Sequence, residues 1–455
     1  MTRASLALER ASRLQPQPPT HSRDLEPETA RQFATTRPLR VGVLVDLSFG
    51  PHSGGHVKCW TRLAEAAGRR AGDLDLTVFF TGNEPRAIEI AEHVRYEIVP
   101  PVFSTARVGF LSHVPDHTDL APWHPRIAAA LRRVDVIHTT DGYFTYARTA
   151  SRVARRRRIP LVNSVHTNTP EYARIFTAQT IEKLFGHGLM ARALRSDLGV
   201  PEFVERRLLR QLDKYHRACD FVLVSRPSQL DAVSNVIPGR VSLLRRGIEH
   251  RLFHPANRNR RWLASEFGIA PEKTVVLYVG RLNRGKNVGL AASAVAPLVE
   301  RGLPIHLLCA GDGNERAAIQ ARLGSHATCP GHLDPTKLAA VYASSDVFVF
   351  PSEIEEYANV VLEALASGLP VMVSVRSSMS RLLIENVTGF ALPGDDTGRW
   401  AEVISALAAD PARRRDMSHA ARAYAERRLP SWDDVLASDL LPHWSDVVER
   451  RRERA

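Results

Sequence analysis

Arg281 and Lys286 fall on one loop, Gly280-Arg281-Leu282-Asn283-Arg284-Gly285-Lys286-Asn287, directly after the apolar run Val275–Val279. Two cations there suit a diphosphate, since arginine offers a planar fork of donors and lysine a compact charge. The loop has both glycines and the lysine of a P-loop, but Asn287 stands where a magnesium-binding hydroxyl belongs. A second polar group follows in Glu355-Glu356-Tyr357-Ala358-Asn359-Val360-Val361-Leu362-Glu363-Ala364. Glu363 interrupts an apolar helical run, and a carboxylate there can accept both hydroxyls of a ribose diol. Glu355, on the preceding loop, can face sugar hydroxyls, although a charge just before a helix also complements the helix dipole. In the first half of the chain, Gly54-Gly55 lies between a strand-like run and a helical stretch. Paired glycines there let backbone amides approach a phosphate, but the same pair also reads as a plain turn. His166 ends another apolar run, where a histidine is more often a satisfied structural residue than a catalytic one. Asp73-Leu74-Asp75 mimics a metal-binding triplet and reads as a surface turn.

Positioning such loops takes parallel sheets. Arg40–Val45, Leu76–Phe80, Val136–His138, Leu161–Val165 and Phe221–Val224 are short apolar runs separated by helical periodicity, which begins at about Val57. A second series follows Pro255: Val275–Val279, Ile305–Cys309, Val347–Phe350 and Val371–Ser374, as compact as strands buried on both faces. Helical segments Val288–Arg301, Lys337–Ala343 and Val360–Ala366 separate these. Such alternation predicts an α/β chain of two Rossmann-like, doubly wound parallel-sheet domains facing a central cleft. The boundary is expected near Gly247–Asn259, giving a first domain over 39–250 and a second over 251–430. Residues 1–38, with Pro16, Pro18 and Pro19, read as a poorly ordered leader. Residues 431–455, opening at Trp432, read as a helical tail that crosses back to the first domain.

Taken in order, these stretches resemble glycosyltransferase family 4 within the GT-B superfamily, from about residue 40 to 435. The resemblance is carried by Gly54-Gly55, by Ile159-Pro160-Leu161-Val162-Asn163-Ser164-Val165-His166-Thr167, and by Arg246-Gly247-Ile248 leading to Phe253-His254-Pro255. It continues through the Gly280–Asn287 loop, Gly311-Asp312-Gly313, Gly331, the pair Glu355 and Glu363, and Ser367-Gly368-Leu369-Pro370. It implies retaining transfer of a hexose from a UDP- or GDP-linked sugar to a hydroxyl acceptor, with membrane lipids and cell-envelope glycans as acceptor classes. The first domain would bind the acceptor and the second the nucleotide sugar.

By the same resemblance, Arg281 and Lys286 hold the donor diphosphate, Glu363 the ribose and Glu355 the transferred sugar. Gly54 and Gly55 admit backbone amides to the reaction centre, and His166 sits beside the donor sugar with Tyr172 nearby. Ala358, Asn359 and Val360 line the donor at the start of a helix. His166, Arg281 and Lys286 would carry catalysis, with no cofactor and no metal. No second carboxylate poised as a nucleophile is evident, which favours attack on the same face as departure. The family has an aromatic residue and then glycine where this chain has Tyr357 and Ala358. If position 358 needs a positive φ, alanine strains the loop. Its place before Val360–Ala366 favours an ordinary helix start instead.

Composition narrows the remaining choices. At 455 residues the chain exceeds one hydrophobic core, and 44% hydrophobic with 24% charged residues describes an ordinary soluble globular protein. No apolar run reaches the roughly 18 residues that a bilayer span needs. Residues 1–20 lack the apolar core of a secretory signal, so a cytoplasmic location is expected. Cys59, Cys219, Cys309 and Cys329 have neither disulfide nor zinc spacing. A net charge of +12 suits a polyanionic partner, and no nucleic-acid motif accompanies it. Arg152 with Arg155–Arg158, and Arg206, Arg207, Arg210, Lys214 and Arg217, fit an anionic membrane surface; the first cluster equally fits a helix C-terminus. Two other functions use the same features: a non-catalytic nucleotide-sugar-binding subunit, and a P-loop nucleotide hydrolase, which Asn287 disfavours.

Overall fold

The computed structural model describes residues 37–50, 53–70, 72–104, 119–186, 188–353 and 357–454. Nearly all of the leader expected over 1–38 lies outside these residues, as does Glu355. The chain divides into two compact units.

One unit joins the described residues up to Arg246 to the segment that begins at Trp432. Among the described residues its strands are β1 (Leu39–Ser48), β2 (Leu74–Thr81), β3 (Arg86–Ala91), β4 (Val94–Val99), β5 (Val136–Thr139), β6 (Leu161–Val165), β7 (Phe221–Val224) and β8 (Val241–Leu243). They lie in the order β3-β4-β2-β1-β5-β6-β7-β8. Only β3 runs antiparallel to its neighbour. Both faces of β1 are buried: Val41, Val43 and Val45 enter one apolar cluster and Leu44 another. Strand order reverses between β1 and β5, so a crevice opens at the carboxyl ends of these two strands. Asp73-Leu74-Asp75 is not a surface turn throughout, because Leu74 is buried and opens β2, with Asp75 following it in the strand.

Helix α1 (Gly55–Gly68) follows β1, α2 (Thr169–Phe185) follows β6, and α3 (Val200–Ala218) precedes β7. The terminal helix Leu441–Glu453 buries Trp444 in the same cluster as Trp60 and Leu63 of α1. Ion pairs fasten the returning segment: Arg245 to Asp439 at 2.7 Å, Arg69 to Asp433 at 2.6 Å and Arg451 to Asp220 at 2.9 Å.

The other unit, Gly247–Ser431, holds an all-parallel sheet. Its strands are β9 (Thr274–Val279), β10 (Ile305–Ala310), β11 (Ala327–Gly331), β12 (Val347–Phe350), β13 (Val371–Ser374) and β14 (Gly389–Leu392), ordered β11-β10-β9-β12-β13-β14. Val275, Leu277 and Val279 pack on one face of β9 and Val276 and Tyr278 on the other, which explains the uninterrupted apolar run. Here the order reverses between β9 and β12. Helices α4 (Val288–Glu300), α5 (Pro335–Ser344) and α6 (Asn359–Ala366) cover this sheet. Among the described residues no helix is long and apolar enough to cross a membrane.

Candidate active site

The Gly280–Asn287 loop leaves β9, and the segment carrying Ala358, Asn359, Val360 and Glu363 follows β12. These strands flank the reversal, so both groups of residues meet at one crevice. The loop is fixed from behind. Leu282 N–H donates to Asp312 O at 2.9 Å, and Glu315 N–H to Leu282 O at 2.9 Å. A Cβ at Gly311 would lie 2.0 Å from the Gly280 carbonyl oxygen, and one at Gly313 2.3 Å from that of Leu282. Gly311 and Gly313 are therefore glycines because the loop backbone occupies the space of their side chains.

Asn283 caps the short turn before α4, its side chain accepting from Lys286 N–H at 3.0 Å. Asn287 adopts a left-handed φ of 53° and its side-chain amide donates to Gly394 O at 3.0 Å. The position that lacks a magnesium-binding hydroxyl thus has a structural task. Arg281 is exposed and Lys286 partly buried. Burial first, and the Arg281 charge second, push the Lys286 ammonium down to about 8.

Glu363 lies half-buried on α6 between the buried Leu362 and Ala364. One of its carboxylate oxygens accepts from the Tyr342 hydroxyl of α5 at 3.0 Å, and that phenol is fully buried. Ala358 corrects the sequence expectation: it is neither helical nor at positive φ. It is the N-cap of α6, extended at φ −103° and ψ 99°, and its N–H donates to Met379 Sδ at 3.3 Å. L-residues adopt this geometry without strain, so alanine in place of glycine does not distort the backbone here. Asn359 and Val360 form the first helical positions, both partly buried.

In the first unit Gly54 is the N-cap of α1 and Gly55 its first residue, so the helix starts slightly before Val57. Gly54 has φ −67°, and at neither glycine would a Cβ meet any atom within 4 Å. Neither backbone conformation nor packing within the chain demands glycine at these positions. Tyr172 lies in the first turn of α2, stacked on Phe176 at 6.1 Å. His166, just beyond β6, stacks on His56 of α1 with ring centroids 4.3 Å apart. The structure therefore brings His166 beside the Gly54-Gly55 end of α1.

His166 also ends a buried hydrogen-bond chain. An indole N–H can only donate. Trp444 Nε1 donates to His138 Nδ1 at 2.9 Å, so the hydrogen of the neutral His138 ring is on Nε2. That nitrogen donates to Ser164 Oγ at 2.8 Å, and the Ser164 hydroxyl donates in turn to His166 Nε2 at 2.8 Å. Trp60 Nε1 donates to the same His166 nitrogen at 3.2 Å. Assigned from these donors, the hydrogen of His166 is on Nδ1, a buried atom with no protein partner. Burial holds His138 down to about 3 and, with the Arg246 charge, His56 likewise. His166 is held well below the usual range by burial, then His56, Arg246 and His138. The three rings are neutral near pH 7, so His166 offers one N–H donor and no charge.

Sequence reading missed Tyr342, Trp60, His138, Trp444, His56 and Arg246 as parts of these sites. Each is a single residue in a stretch read only as strand, helix or loop, and only Arg246 belongs to a motif that carries the family resemblance.

Two doubly wound units with loops of this kind at their reversal points define a GT-B glycosyltransferase. Comparison with known proteins agrees. The family model described as "Glycosyl transferases group 1" matches residues 260–424. A GDP-mannose-dependent alpha-mannosyltransferase of Corynebacterium glutamicum is 26% identical over 414 residues, which is 90% of each chain. A protein of the same name from Mycobacterium tuberculosis is 31% identical over 313 residues, 66% of this chain and 70% of the other. In fold, the sucrose-phosphate synthase of Thermosynechococcus elongatus superposes with a TM-score of 0.63 at 20% identity, covering 92% of this chain and 100% of that one. The chain belongs to the group 1 glycosyltransferases.

Proposed function

We propose that this enzyme, as a member of glycosyltransferase family 4, moves a hexose from a nucleotide-diphosphate sugar to a hydroxyl acceptor, retaining anomeric configuration and using no metal ion. The observation that carries this reading is the crevice between β9 and β12, where the Arg281–Lys286 loop faces the segment that carries Glu363. Arg281 and Lys286 neutralise the diphosphate as it leaves, the interaction that grows most in the transition state. Glu363, oriented by Tyr342, accepts the ribose hydroxyls. Ala358, Asn359 and Val360 place the amino end of α6 beside the donor, and Glu355 is assigned to the transferred sugar by resemblance alone.

In the first unit, Gly54 and Gly55 leave room for a ligand at the start of α1, His166 Nδ1–H donates to a sugar oxygen, and Tyr172 lies near the acceptor. Attack occurs on the face from which the diphosphate departs, with that group taking the acceptor's proton. GDP-mannose is the first donor to test, since both bacterial relatives are named for it. The structural task of Asn287 speaks against a magnesium-dependent nucleotide hydrolase.

A lipid acceptor at the cytoplasmic face of a membrane draws support from one surface. Leu184, Phe185, Leu189, Met190, Leu198, Phe203 and Leu209 are exposed at the end of α2, on α3 and between them. Arg206, Arg207, Arg210, Lys214 and Arg217, also on α3, are exposed beside them. Apolar groups with cations along the same helix suit an anionic bilayer. Arg155, Arg156 and Arg157 instead occupy the last turn of the helix Thr145–Arg157, where they answer its dipole.

The test is release of nucleoside diphosphate from GDP-, UDP- and ADP-sugars without acceptor. A live site leaks slowly to water, and Arg281→Ala should abolish the leak. Tight donor binding with no release at all would favour a non-catalytic sugar-nucleotide-binding subunit.

A further inference from the structure

Arg246 is 5% exposed, and its Nε and Nη1 have no hydrogen-bond partner among the described residues. A guanidinium stays protonated in a protein, and charges of this kind are almost never buried unless paired. Among the described residues no carboxylate forms an ion pair with it. The guanidinium lies within hydrogen-bonding reach of the Cys59 thiol and close to the His56 ring. Burial pushes that thiol up and keeps it protonated, and the same burial holds His56 neutral. His56 Nε2 is itself buried without a partner.

Both neighbours belong to the first turns of α1, a helix of 14 residues. Its N-cap, Gly54, makes no side-chain cap, and its first turn has no acidic residue. Among the described residues, therefore, neither a capping side chain nor a first-turn carboxylate answers the leading N–H groups of the helix and the positive end of its dipole. Three kinds of unsatisfied or positive group therefore share one place: a guanidinium, an imidazole nitrogen and a helix amino end.

We propose that Arg246, His56 and the amino end of α1 bind a phosphate group carried by a substrate. A carboxylate could fill the arginine fork, but a phosphate has oxygens for the fork, the helix amides and the imidazole together. Two sources share this chemistry: the diphosphate of a nucleotide donor, and a phosphate on the acceptor. Only the naming of these sources rests on the glycosyltransferase reading. Phosphate binding itself does not, so the site is tested without any transfer reaction.

The full chain and its Arg246→Met and Arg246→Lys variants are titrated with inorganic phosphate, glucose 6-phosphate, UDP and GDP. Binding is followed by calorimetry, and unfolding temperature is measured in phosphate-free buffer. Arg246→Met should unfold at a higher temperature than wild type without ligand, because an unpaired buried charge is replaced by an apolar side chain of similar length. It should also lose about tenfold or more in phosphate affinity, the worth of one charge-assisted hydrogen bond, with Arg246→Lys in between. A loss confined to UDP and GDP assigns the site to the donor. A loss confined to inorganic phosphate and glucose 6-phosphate assigns it to the acceptor. Unchanged binding of all four probes overturns the proposal. So does a lower unfolding temperature for Arg246→Met, which would show that the protein itself pairs the charge.

Discussion

Trp444 and His138, 306 positions apart in the chain, share a 2.9 Å hydrogen bond inside one unit. The bond makes the terminal helix part of the site in the first unit. Through Ser164 it determines which nitrogen of His166 has the hydrogen. Trp60 acts on the same nitrogen from α1, so two indoles enforce one tautomer.

Trp444→Phe keeps an aromatic ring but removes the donor. His138 can then exchange tautomers, and Ser164 no longer donates to His166 alone. Nitrogen-detected NMR of histidine-labelled protein should show His166 protonated only at Nδ1 in wild type, with a mixture in the variant. Turnover should fall about tenfold, the worth of a hydrogen bond of about 1.4 kcal/mol. A wild-type His166 spectrum protonated at Nε2 would contradict the assignment.

In the proposed function Glu363 makes two separable contributions. Glu363→Ala should weaken donor binding by roughly 1.5–3 kcal/mol and also remove the charged acceptor of the buried Tyr342 hydroxyl, leaving it only the Val360 carbonyl oxygen at 3.3 Å and lowering stability by about 1 kcal/mol. Glu363→Gln keeps an acceptor for Tyr342 and should spare stability while still losing donor affinity. Calorimetric titration with GDP and UDP, paired with thermal unfolding, reads both. Equal affinity in wild type and both variants would remove Glu363 from the ribose site.

These two predictions show how differently parts of the molecule announce themselves. Strands buried on both faces, such as β9, β12 and β13, are continuous apolar runs and were legible. The edge strand β3 and its neighbour β4 alternate polar and apolar residues, and the edge strand β11 contains Pro330, so none resembles a core strand. Glu363 stood out because a charge interrupts an apolar helix. Tyr342 did not, because an aromatic on an amphipathic helix looks like ordinary core. The chain from Trp444 to His166 joins residues scattered from 60 to 444, and no local pattern encodes it. Ala358 was misjudged because nearness to a helix does not tell the extended N-cap from the first helical residue.

The proposed role of Lys286 gives donor binding a pH dependence with a definite sign. Its ammonium, pushed down to about 8, is charged below that pH and neutral above it. Phosphates ionise nearer pH 6, so their charge is constant in this range. GDP or UDP affinity should therefore fall as pH rises through about 8. Lys286→Arg, which does not titrate there, should abolish the fall. A flat affinity from about pH 7 to pH 9 in wild type would contradict an unusually acidic lysine.

The exposed apolar and basic surface on α2 and α3 predicts cosedimentation with vesicles of acidic phospholipid at low salt, and release as salt screens the attraction. Replacing Leu189 and Leu198, which are 86% and 69% exposed, by Ser should weaken binding at any salt. No cosedimentation at low salt would return these residues to ordinary surface.

The central claim is metal-independent transfer with retention, and the configuration of the product tests it most directly. The full chain is incubated with GDP-mannose, and in parallel with UDP-glucose, in the presence of EDTA. Proton NMR then identifies the first anomer of the released or transferred sugar. The account predicts that the α anomer, matching the α-linked donor, forms first and at a rate that EDTA does not change. The β anomer forming first, or a reaction that requires added magnesium or manganese, would contradict it.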